Sequence, residues 1–190
     1  MKKSNILGFA LILAGILAMA SFAGLALENS GKVIILLKAG DGQSISPDSS
    51  LAPLYHNIGV LQFYSGNEEN AIDLFKAAIA LDPGYEKAYK SLALAEYHSG
   101  NLINAIAYQE RLIELSPTSS EAQWDLAVML VENFRNAENN GMLTPEHIGL
   151  LSQARQLYLA VYAADSRNSQ AMLNAEVISG VLHDYGQDSY

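Results

Sequence analysis

The sequence predicts an all-α fold: a helix-turn-helix solenoid of about three repeats, closed by a C-terminal capping helix and preceded by an N-terminal hydrophobic helix. Three observations predict it. Tyr55-His56-Asn57-Ile58-Gly59 is answered by Tyr89-Lys90-Ser91-Leu92-Ala93, Ser65-Gly66-Asn67 by Ser99-Gly100-Asn101, and Leu81-Asp82-Pro83 by Leu115-Ser116-Pro117. Each pair is offset by 34 residues (55 to 89, 65 to 99, 81 to 115), a period of helical-pair repeats. Small residues recur where two helices must approach closely: Gly59, Ala93 and Ala127 on first helices, Ala71, Ala105 and Ala154 on second helices. Finally, Ile6 to Leu27 carries no charge and exceeds the ~18 apolar residues that read as a membrane span.

The leader comes first in the chain. Met1-Lys2-Lys3 is a basic start, and residues 1–4 are expected to stay in the cytoplasm. Residues 5–27 are expected to form a transmembrane anchor, longer than the ~7–15 residues of a signal-peptide core. The alternative is a cleaved signal, because Ala18-Met19-Ala20 and Ser21-Phe22-Ala23 both fit the small-x-small cleavage rule. Either way the repeat domain lies outside the cytoplasm. Residues 28–50 are a linker with one apolar island, Val33-Ile34-Ile35-Leu36-Leu37. That island is a short strand, a helix piece or a segment for pairing with a partner.

Residues 51–184 hold the repeats. In 52–85 and 86–119, Gly66 and Gly100 permit the turn between helices, and Pro83 and Pro117 end each unit. Leu74, Phe75, Ala78, Ile79 and Leu81 recur at helical spacing, as do Ile106, Leu112, Ile113 and Leu115. A third unit, 120–168, has Leu126-Ala127 in phase and resumes at Ala154, Tyr158 and Val161. Ala105 to Ala154 is one period plus 15 residues, so an insertion is expected near 134–148. It begins as a polar loop at Asn136, and Thr144-Pro145-Glu146 reads as N-cap, first helical residue and first-turn acid. A single helix over 169–183, with Met172, Ala175, Ile178 and Leu182 on one face, caps the open end. Residues 185–190 are a tail.

These residues resemble the tetratricopeptide repeat family. The first unit matches through Tyr55, Ile58-Gly59, Ala71, Phe75, Ala78 and Pro83. The second matches through Tyr89, Leu92-Ala93, Ala105, Leu112 and Pro117, with Gln109 in place of the usual aromatic; in the third, Trp124 stands one place late. The resemblance implies a concave groove lined by the first helix of each unit. By phase, its residues are His56, Val60, Phe63 and Tyr64 from the first, Lys90, Leu94, Tyr97 and His98 from the second, and Trp124, Val128 and Val131 from the third. One branch of the family grips a carboxylate terminus with a Lys/Asn/Arg set. The corresponding places here are His56, Val60, Ser91, Glu121 and Asp125, which lack the positive charge. An apolar helix or extended segment of a protein partner is expected instead.

Other chemistry is not expected. The formal net charge of −9 repels phosphate backbones, so no nucleic-acid partner is expected. No cysteine is present, which excludes disulfides and thiolate metal sites. His56, His98, His147 and His183 do not share metal spacing, and no phosphate loop or nucleophile elbow occurs. No catalytic residue, metal or cofactor is expected. The sequence therefore reads as a membrane-anchored interaction scaffold or assembly factor. The alternatives are a soluble secreted adaptor and a permanent accessory subunit of a larger membrane or envelope complex.

Overall fold

The computed structural model describes residues 48–186, together with the backbone of Ala26–Leu27 and Val33–Ile34. Residues 1–25, which hold most of the expected span, residues 28–32 and 35–47 of the linker, and residues 187–190 lie outside the described residues. Two described pairs fall in these stretches, and Val33–Ile34 takes the short-strand form among those expected of the island. Ala26–Leu27, placed at the end of the span, forms a short strand β1 antiparallel to β2, Val33–Ile34, with Ala26 opposite Ile34 and Leu27 opposite Val33. Among the described residues no helix is long and apolar enough to cross a membrane.

Among the described residues seven α-helices follow: α1 (Ala52–Tyr64), α2 (Glu68–Leu81), α3 (Glu86–His98), α4 (Leu102–Leu115), α5 (Ser120–Asn139), α6 (Pro145–Ala164) and α7 (Ser169–Asp184). They divide into two compact units, Met1–Pro83 and Gly84–Tyr190. The first contains the α1–α2 hairpin. Gly59 lies so close to Phe75 that a Cβ there would sit 2.6 Å from the ring, which is why this repeat has glycine where the others have alanine. Ala71, Leu74, Phe75, Ala78 and Leu81 are buried along α2. Pro53 stands in the first turn of α1, where its missing N–H costs nothing.

The second unit is built on one continuous core. Ala105 and Ile106 from α4, Leu126, Ala127 and Leu130 from α5, Ala154 and Tyr158 from α6, and Ala175 and Ile178 from α7 pack together. Gly66 and Gly100 have φ of +81° and +79°, the left-handed conformation that ends a helix. The next N–H reaches back in each case, from Asn67 to the Gln62 carbonyl at 2.9 Å and from Asn101 to Glu96 at 2.8 Å, closing both turns in one way. Met142 repeats that bond to Ala137 at 2.8 Å after α5.

The third repeat departs from expectation. The insertion expected near 134–148 is partly helical, since Asn136–Asn139 belong to α5, and α5 and α6 are each 20 residues long, against 13 and 14 for α3 and α4. The extra residues lengthen both helices. Phe134 and Ala137 stay buried and carry the apolar stripe through, while the polar residues between them take the solvent side. Pro145 does open α6, and the Thr144 N–H donates to His147 Nδ1 at 3.2 Å. His147 is thus a capping residue. At the far end, Tyr185 sets its ring edge against Phe134, centroids 5.8 Å apart, and donates to Glu138 at 2.7 Å.

Gln109 is buried and its Nε2 donates to the Ala122 carbonyl at 3.0 Å. An amide thus replaces the aromatic of the repeat pattern by tying α4 to the start of α5. Gln109→Leu keeps most of the volume and removes the donor. It is expected to cost about 1 kcal/mol, measured by urea denaturation.

Candidate functional site

In the first unit the four expected groove residues part company. His56 is buried, its ring tilted against Phe75 with centroids 5.6 Å apart. It belongs to the hairpin's packing, which corrects the expectation that it faces a ligand. Val60 and Phe63 are half-buried. Tyr64 is 83% exposed, with its ring beside that of Phe63.

In the second unit, α3 and α5 share a face. Lys90 Nζ meets Glu121 Oε1 at 2.6 Å, and the Tyr97 hydroxyl donates to Glu132. These two links, one from Lys90 to the first turn of α5 and one from the last turn of α3 to the middle of α5, hold α3 beside α5. Leu94 and Val128 stand between them in sequence phase and remain 45% and 38% exposed. Aliphatic side chains left that open among otherwise satisfied polar groups are the groups of this face that an apolar ligand would cover. Val131 and Trp124 are half-buried, and Trp124 sets its ring edge against Tyr158 at 5.1 Å. Its displaced phase has a purpose: Trp124 fills the space over Tyr158. His98 is exposed, its ring lying against that of Tyr97.

Tyr97 is more deeply engaged than a groove residue need be. It is half-buried, packs on the core, and its hydroxyl is pinned to Glu132. That hydrogen bond, then burial and the Glu132 charge, raise its hydroxyl above the usual tyrosine range. Substituting it therefore disturbs both the α3–α5 link and the face.

A cavity of about 350 Å³ opens along α5, lined by Val128, Val131, Glu132, Arg135, Asn136, Asn139 and, from α6, Tyr158. Its far end exists because α5 continues past the usual repeat length. A smaller recess of about 130 Å³ is lined by Lys90, Glu121 and Asp125, among others. Asp125 is half-buried there. Burial, followed by the neighbouring Glu121 charge, raises its carboxyl above the usual range, and Lys90 offsets part of this. A raised carboxyl favours the folded state when protonated and opposes it once ionised. Asp125→Asn is therefore expected to raise the melting temperature at neutral pH, with the gain shrinking as pH falls through the carboxylate range. The effect should stay below about 1 kcal/mol, because the group is half open to solvent. Thermal melts at neutral and acid pH check both sign and trend.

Sequence reasoning missed two residues that repetition could have found. Leu173 and Val177 are exposed on α7. Counted from Ser169, they stand where Trp124 and Val128 stand counted from Ser120, and where Lys90 and Leu94 stand counted from Glu86. Reading α7 only as a cap hid that correspondence. Arg135, Asn136 and Asn139 were missed because they lay in the stretch assigned to an insertion.

The tetratricopeptide repeat model matches residues 52–85 and 86–119. Solved structures share the fold. The first tetratricopeptide domain of Spaghetti (RPAP3), bound to the HSP90 peptide SRMEEVD, is 18% identical, with a TM-score of 0.56 over 74% of this chain and 99% of its own. The Yersinia enterocolitica type III secretion chaperone SycD, in complex with a peptide of the translocator YopD, is 15% identical, with a TM-score of 0.53 over 68% and 92%. A thermophilic repeat protein of Thermus thermophilus is 20% identical, with a TM-score of 0.53 over 72% and 66%. At such identities the likeness is one of fold. No curated protein matches the chain in sequence.

Proposed function

We propose that this chain is a protein-interaction scaffold held at the outer side of a membrane by residues 5–27. On this reading it binds an apolar helix or extended segment of a protein partner along the face of α3 and α5. The observation that carries the binding reading is the exposed pair Leu94 and Val128, standing in phase on neighbouring helices between two polar links. The Spaghetti domain and SycD each hold a peptide, which supports a peptide-like ligand by analogy. A carboxylate-terminal ligand at the positions used by one branch of the family fits poorly, because Glu121 and Asp125 stand there and would repel it.

Leu94→Asp with Val128→Asp tests this reading. Both residues are already solvent-exposed, so circular dichroism should stay unchanged. Recovery of the native partner should drop at least tenfold, since an apolar segment cannot desolvate two carboxylates. Undiminished recovery with an intact fold would move binding off this face.

The anchor rests on the uncharged Ile6–Leu27 stretch and the basic start. Intact-mass measurement of the native protein should find residues 1–26 retained. A mature terminus at Ser21, Gly24 or Leu27 would instead favour the secreted adaptor, for which Ala18-Met19-Ala20 and Ser21-Phe22-Ala23 supply cleavage sites. Stoichiometric co-purification after detergent extraction would mark a permanent subunit of a membrane complex.

A further inference from the structure

Helix α1 has no Asp, Glu, Lys or Arg along its whole length, from Ala52 to Tyr64, whereas each of the other six helices carries such residues. His56, Asn57 and Gln62 are its strongly polar side chains, and a helix this apolar is normally covered over most of its surface. Here one side is open: Leu54 is 53% and Leu61 67% exposed, with Leu51 exposed and Ile58 half-buried on the same side. The corresponding places on α5 are Ala122 and Met129, and on α7 Ala171 and Ile178; all four are buried. The side of α1 that lies open is therefore the side that later repeats bury.

The C-terminal end differs. Where α3 and α5 bury Ala93 and Ala127, α7 exposes Glu176, with Gly180 and His183 exposed further along. At those positions α7 is polar, as terminal repeats require; its exposed Leu173 and Val177 stand instead in the phase of Leu94 and Val128, not in that of the open side of α1. Head-to-tail stacking of copies is thus unfavourable.

We infer that the open side of α1 is the contact between two copies of this chain, paired head to head. Leu54, Ile58 and Leu61 recur at the three- and four-residue spacing of helix–helix seams. A twofold contact buries both copies of the seam at once and closes the assembly. Charge also favours this site. The chain carries a formal charge of −9, and the uncharged α1 lets two such chains meet without like charges opposed. One face of a 13-residue helix is small for a stable interface, so the pair should dissociate in the micromolar range.

Sedimentation of the full chain in detergent, over a micromolar concentration series, tests the pairing. The unmodified chain should pass from one copy to two as concentration rises. Leu54→Glu with Leu61→Glu should hold it at one copy with unchanged circular dichroism. Should the glutamates disturb folding, Leu54→Gln with Leu61→Gln should weaken the pair at least tenfold. A chain that stays single at every concentration overturns the proposal, leaving the leader, a lipid surface or a different protein as the cover of α1. A pair that survives the folded variants overturns it as well.

Discussion

Phe75→Ala is expected to cost about 3–5 kcal/mol, the largest single effect in the first unit. The ring is fully buried, lies across Gly59 at a distance no Cβ tolerates, and tilts against His56. Removing it takes away the partner of both residues and leaves a cavity between α1 and α2 that a two-helix unit has little material to fill. The pairing with Gly59 makes a second, sharper expectation. Gly59→Leu alone overpacks the same space by about 1–3 kcal/mol. In the double variant the leucine enters the space the ring has left, so the combined loss should fall short of the sum of the single losses. Denaturant unfolding of the four proteins of the cycle measures that shortfall; strict additivity would mean the two residues are not in contact.

Ala105→Leu is expected to cost about 1–3 kcal/mol in the second unit. Ala105 is fully buried and belongs to the core formed by α4, α5, α6 and α7. It occupies the place held by Ala71 in α2 and Ala154 in α6, both equally buried. A methyl is all the space between helices accepts there, and a longer side chain has no solvent to turn to. Thermal melts read the loss directly. An unchanged midpoint would mean that the helices are out of the phase assigned here.

How far the sequence could be read follows from where its punctuation is repeated. Gly66 and Gly100 with Pro83 and Pro117 mark the first two hairpins because backbone conformation at those points admits few residue types. Ala71, Ala105 and Ala154 announce the close contacts for the same reason. The third hairpin was misjudged because Asn136, Glu138 and Asn139 look like a loop in isolation. Only Phe134 and Ala137, continuing the buried stripe, show that the helix runs on. Gln109 and Trp124 looked like defects in the pattern. One is an amide bonded to a neighbouring backbone, the other a ring displaced to cover Tyr158. Pairwise compensation of that kind depends on which helix lies opposite, which a periodicity does not reveal. Exposure was legible where phase alone decides it, as at Leu94 and Val128. It was not legible at His56, whose burial is set by the Phe75 ring across the hairpin.

Photo-crosslinking in cells is the most direct test that the α3–α5 face is the working surface of a scaffold. A photoreactive residue at Val128 probes that face, and one at Ile103, which is exposed on α4, serves as control. The account predicts one dominant protein adduct from position 128, lost in the Leu94→Asp background and absent from position 103. Equal adducts from both positions, or none from position 128 while the partner still co-purifies, would contradict it.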